Sequence, residues 1–162
     1  MYKFRVILDS KKDVIREIAV MRGFTLEELH QTIINAFEFD GLEMASFYHS
    51  DLEWNQGEEI PLFNMNEQVG GLSQMSDYKL EVLFTKQNRN LIYVYDFMNL
   101  WTFFVEFVSV YENKVEDKNT PLLLFSLGNL PKEAPKKEFE VPSTEDEDDD
   151  DFYYDDYDSF YQ

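Results

Sequence analysis

Two histidines and one polar–aromatic segment are the residues of this chain best suited to chemistry. His30 and His49 stand 19 residues apart with no HxH or HExxH pattern around them. A zinc site would therefore need both rings to converge with a carboxylate such as Asp51 or Asp96. The plainer reading makes His30 a hydrogen-bonded helix residue and places His49 at a strand end. Asp96 and Trp101 flank a short Phe-Met-Asn-Leu turn that contains Asn99. An Asx-type turn beside a packed indole accounts for all three. The functional alternative is the rim of a groove in which they meet a ligand. Arg16 lies on a largely apolar strand face. It is either a strand-end arginine with its stem packed and its head in water, or half of a buried ion pair that holds the fold, with Asp96 a candidate partner.

Other chemistry is sparse. There is no Cys, so disulfides, thiolate catalysis and cysteine zinc sites are excluded. Glu27 and Glu28 fit a helix start, and Glu58 and Glu59 fit a loop, better than a hydrolytic pair. No GxxxxGK[ST], GxGxxG or GxSxG pattern occurs, and Gly70 with Gly71 is too little for a cofactor loop. Catalytic residues, metal ligands and cofactors are all assigned as none.

The strongest compositional feature is residues 145–162, EDEDDDDFYYDDYDSFYQ, with ten carboxylates, no base and six aromatic rings. The segment lacks the glycine turn and ligand spacing of an EF-hand. Phe152, Tyr153, Tyr154, Tyr157, Phe160 and Tyr161 make it too aromatic for a purely solvating run. They fit a segment that orders on contact with a partner. The whole chain carries 33 acids against 14 bases, a formal charge of −19. Such a surface repels phosphate, and its densest basic clusters are only Lys11 with Lys12 and Lys136 with Lys137. Direct nucleic-acid binding is disfavoured; a protein partner, basic in character, is easier to justify. No apolar run approaches a membrane span, and the opening MYKFRVILDS lacks the features of a signal peptide. The default location is cytoplasmic.

The elements that must position these residues read as one α+β domain. Alternation over 2–8 and 14–20 predicts a hairpin. Thr25-Leu26-Glu27-Glu28 is a capping box, and apolar residues at helical spacing predict a helix over 26–37 stopped by Asp40-Gly41. A strand is expected over 45–52 with Phe47 inward, then a loop-rich stretch containing a short strand at 60–63, and a helical turn or loop over 72–78. Strands are expected over 79–85, 90–96 and 102–111, the last with a bulge or with both faces covered. LLLFSL within 121–130 predicts a final strand or helix. Residues 132–144, with two prolines, read as a linker. The expected organisation is a domain over 1–131, a linker over 132–144 and an acidic tail over 145–162.

Several segments in order resemble the plasmid pRiA4b ORF-3-like family, also described as a mobile-element passenger family. They are the opening hairpin with Arg16, FTLEELHQTIINAFEFD with Leu29-His30, Tyr95-Asp96-Phe97 followed by Trp101, and Leu127-Gly128 through Pro131-Lys132-Glu133. The resemblance covers about residues 2–133 and excludes the tail. It implies an α+β domain with a mainly antiparallel or mixed sheet packed on helices, and it implies no secure activity. The family's mobile-element label reflects gene association; no recombinase or transposase signature accompanies it here. The chain departs from the family where Gly-Asp becomes Met98-Asn99, and where a His-rich stretch becomes Leu42-Glu43-Met44. A polar or metal site built from those positions would be eroded. The reading is a non-catalytic interaction domain with a partner-binding tail. The alternative is an enzyme with an unrecognised site near Asp96, Asn99 and Trp101.

Overall fold

The structure is a computed structural model that describes residues 1–65, 73–114, 116–117 and 119–137. The acidic tail, Gly70-Gly71 and the second half of the expected linker lie outside the described residues. Among the described residues, seven strands form one antiparallel sheet: β1 Tyr2–Leu8, β2 Ile15–Val20, β3 Ala45–Ser50, β4 Gln56–Pro61, β5 Asn90–Tyr95, β6 Trp101–Val110 and β7 Leu122–Leu127. Their order is β4-β3-β5-β6-β1-β2-β7. Helix α1, Leu26–Ala36, packs on one face; a 3-10 turn at Met75–Asp77 and the single-turn helix α2, Leu80–Leu83, complete that layer.

Period-two alternation explains the sheet. In β1, Tyr2, Phe4, Val6 and Leu8 are buried and the intervening residues half-buried. Phe4, Phe47, Tyr93, Phe103 and Val105 line the helix-covered face and meet Leu29 and Ile33 in one apolar core. The opposite face carries charge: Glu17 accepts from Lys3 Nζ at 2.9 Å and Arg5 Nη2 at 2.9 Å, with Glu106 3.7 Å from Arg5 Nη1. The bulge expected in the last long strand lies where β6 pairs with β1, as Lys3 opposes Ser109 but Phe4 opposes Phe107.

Helix α1 starts as its sequence dictates. The Thr25 hydroxyl accepts from Glu28 N–H and the Glu28 carboxylate accepts from Thr25 N–H at 2.7 Å, two orphan amides satisfied reciprocally. It stops before Asp40-Gly41. Glu38 adopts φ 59°, Phe39 N–H bonds Ile34 O, and Glu38 N–H bonds Asn35 O. That is a Schellman closure with glutamate in the position glycine usually takes.

Two expectations need correction. Residues 79–85 are not a strand but contain α2. Leu80 and Phe84, one helical turn apart, are buried, while Val82 between them is 73% exposed. Apolar residues at 80, 82 and 84 mimic strand alternation, but Leu80 N–H docks on Phe24 O instead of a sheet edge. The short strand expected at 60–63 is the longer β4, whose polar first half follows no apolar alternation because it is an exposed edge.

Candidate functional site

His30 extends from α1 onto the sheet, and its Nδ1 lies 2.7 Å from the Tyr93 hydroxyl. Burial lowers its pKa from 6.5 to about 4, and burial likewise pushes Tyr93 well up. A neutral ring therefore shares a hydrogen bond with a protonated phenol inside the core. His49 lies two residues beyond Phe47 on β3 and lines a separate polar cleft of about 280 Å3 with Asp51, Asn55, Asn90 and Phe84. Asp51 is already committed there: its carboxylate accepts from Glu53 N–H, Asn55 N–H and the Asn55 amide. Those bonds, the Asn55 side chain first, hold its carboxyl below the usual range. No group of three or more His, Asp or Glu side chains with metal-holding geometry occurs among the described residues.

Arg16 and Asp96 do not pair; each has other partners. Arg16 Nη1 donates to the Ile15, Leu127 and Gly128 carbonyls at 2.9, 3.0 and 3.0 Å. Its Nε reaches Ala36 O at 3.3 Å, and its guanidinium carbon sits 5.0 Å from the Phe37 ring centroid. Burial lowers its pKa, and Glu38 opposes the shift. The buried arginine is a clamp on backbone carbonyls, which a flat multi-donor fork suits better than a point charge. Sequence gave no hint of carbonyl partners more than a hundred residues away.

Asp96 builds the β5–β6 turn. One carboxylate oxygen accepts from Met98 N–H at 3.1 Å and Asn99 N–H at 3.4 Å; the other accepts from the Asn99 amide at 2.6 Å. Asp96 and Leu100 both have positive φ, 62° and 57°. Trp101 points the other way, buried 5.4 Å from the Phe39 ring centroid. Asp96 and Asn99 are thus brought together, but to each other, and Trp101 belongs to the core. The turn instead presents Phe97, Met98 and Leu100 to solvent, Met98 at 90% exposure. Met44, whose carbonyl accepts from Asp96 N–H, and nearby Leu42 extend this exposed apolar tip. Apolar residues inside a turn were the signal for it.

A larger groove opens at the same end. It holds about 900 Å3 between the β1–β2 turn, the start of β6 and residues 129–137. Leu100 and Thr102 line it, whereas Asp96, Asn99 and Trp101 do not. Its rim carries Lys11, Lys12, Lys136 and Lys137.

The model of the plasmid pRiA4b ORF-3-like protein family matches residues 1–140. The chain belongs to that family. The pRiA4b ORF-3-like match takes in every strand and extends past Ala134, which packs against the core. A solved structure of a protein of unknown function from Methanosarcina mazei Go1 is similar in fold: TM-score 0.63 at 21% identity, over 77% of this chain and 68% of that one. No curated protein matches at a significant level. Among the described residues no helix is long and apolar enough to cross a membrane.

Proposed function

We propose that this pRiA4b ORF-3-like chain is a cytoplasmic, non-catalytic interaction domain. In this reading it engages a protein partner through the apolar tip at the β5–β6 turn, and residues 145–162 add contacts to basic surface on that partner. One observation carries the reading. At the turn, the polar groups that resemble a site are consumed in turn hydrogen bonds, while Phe97, Met98 and Leu100 are exposed beside Leu42 and Met44. Contiguous exposed apolar side chains rimmed by polar surface are a signature of a contact patch. An enzyme working through Asp96, Asn99 and Trp101 lacks comparable support, because the carboxylate faces its own loop and the indole faces the core.

The test is capture of partners by the full chain, by a Phe97→Asp/Met98→Asp variant and by a chain lacking residues 142–162, across a salt series. The tip variant should lose its partners at every salt concentration, and the truncated chain should lose the salt-sensitive fraction. Val82→Asp, which charges an exposed apolar position on α2, should change nothing. Equal capture by all four chains would overturn the reading.

A further inference from the structure

The two densest basic clusters of the sequence meet across one groove. Lys11 and Lys12 come from the β1–β2 turn, and Lys136 and Lys137 from the segment after β7. All four are exposed. The same groove contains two carboxylates, Asp9 and Glu133. A chain with 14 bases against 33 acids thus gathers four of its bases around a single opening. The acids are distributed in the opposite sense: residues 138–162 contain 12 and no base.

We propose that this groove is the docking site of the chain's own acidic aromatic segment, residues 145–162, bound in cis. Charge complementarity supplies the attraction. Geometry supplies the access: Lys137 stands at the groove, and residue 145 follows eight residues later, a tether of at most about 28 Å when extended. Tethering gives the segment an effective local concentration on the order of millimolar, which a dissolved anion must exceed to compete. The aromatic rings have a counterpart as well. Leu100 lines the groove, and Phe97 and Met98 are exposed on the same turn. Lysines with an adjacent apolar tip match a segment in which a run of carboxylates leads into Phe152, Tyr153, Tyr154 and Tyr157. This deepens the interaction reading: the docked segment covers the tip, and a basic partner has to draw it away. The test involves no partner, so the two ideas fail separately.

The experiment places a nitroxide at Ser159→Cys, the sole thiol of the full chain, and reads its effect on backbone amides by NMR. The amide signals of Lys11, Lys12, Leu100 and Asn129 should lose intensity, while Asn88 at the other end of β5 keeps its own. Charge reversal of all four lysines to Glu should restore the signals, with core amides such as Phe103 unmoved as proof of fold; added salt should act in the same direction. Lys79→Glu/Lys86→Glu, remote from the groove, should leave the effect intact. No loss, loss spread evenly over the domain, or loss that survives the quadruple reversal would overturn the proposal. So would loss in a mixture where the nitroxide sits only on unlabelled chains, which would make the occupant a second copy.

Discussion

Acidification should weaken this fold through His30 in a way that one substitution can isolate. The ring is 5% exposed and hydrogen-bonded to Tyr93, and its pKa falls from 6.5 to about 4 on burial. The unfolded chain takes up this proton near pH 6.5; the folded chain resists until near pH 4. Between those values the unfolded state binds more protons, so stability falls as pH falls, and it levels off below the folded pKa. Integrated over the shift, His30 costs about 2 kcal/mol on going from pH 7 to pH 5, and roughly 3 kcal/mol in the acid limit. For a chain of this size that is a melting-temperature drop of about 6 °C at pH 5. Other groups titrate too. Glu17, Asp40, Asp51 and Asp117 are held below the usual carboxylate range and lose their contributions as pH falls, while the shrinking negative charge acts the other way. The quantity to measure is therefore the difference between wild type and His30→Gln, which keeps an acceptor for Tyr93 but cannot titrate. Urea unfolding at pH 7, 6 and 5, followed by tryptophan fluorescence, should find the variant less stable at pH 7 and the gap narrowed by about 2 kcal/mol at pH 5. A gap that stays constant across the series would refute a depressed histidine pKa in the core.

Arg16→Met should destabilise by about 3 kcal/mol in urea unfolding, since several carbonyls lose a charged donor inside the fold, and Arg16→Lys should recover less than half of that because one ammonium cannot span carbonyls on β2, α1 and the end of β7. Asp96→Ala should cost about 2 kcal/mol from lost turn bonds and a left-handed backbone; Asp96→Asn, which tolerates that backbone, should cost under about 1 kcal/mol by the same assay. Gly128→Ala should cost about 3 kcal/mol, because φ is +74° and a Cβ would lie 2.2 Å from the Asp13 carbonyl oxygen. Gly23→Ala, with nothing within 4 Å, should stay within about 0.5 kcal/mol of wild type on thermal unfolding.

The parts of the fold legible in the sequence were those set by local chemistry. The capping box fixed the start of α1, alternation marked β1 and the first half of β2, and a continuous apolar run marked β5, which is buried throughout. The end of α1 falls within one residue of the expected Phe37, which is its C-cap, but the closure itself was not legible, because Glu38 takes a left-handed conformation with no glycine to announce it. Residues 79–85 misled because a one-turn helix and a strand bury the same pair of positions when only two side chains face the core. The Asx-turn alternative for Asp96 needed only residues up to 99, so local sequence contained it. The partners of Arg16 and the gathering of four lysines depend on contacts across more than a hundred residues, and no local pattern encodes them.

Those two long-range features have one cause. Arg16 holds the carbonyls of Leu127 and Gly128 on β2's side of the sheet, and Gly128 lies so close to Asp13 that no side chain fits between them. Together they fix where the chain leaves β7, directly beside the β1–β2 turn. Leu130 and Ala134 then pack on the core and carry the chain along the groove to Lys136 and Lys137. The buried arginine thus does no chemistry at the surface, yet it decides that Lys11 and Lys12 face a second pair of lysines. The same end of the sheet receives the β5–β6 turn, whose polar groups close on themselves and leave Leu100 to the groove. Charge and apolar surface are brought together there by residues that are themselves hidden or internally bonded. In this fold, the side chains that look most like an active site build the surface on which other contacts can be made.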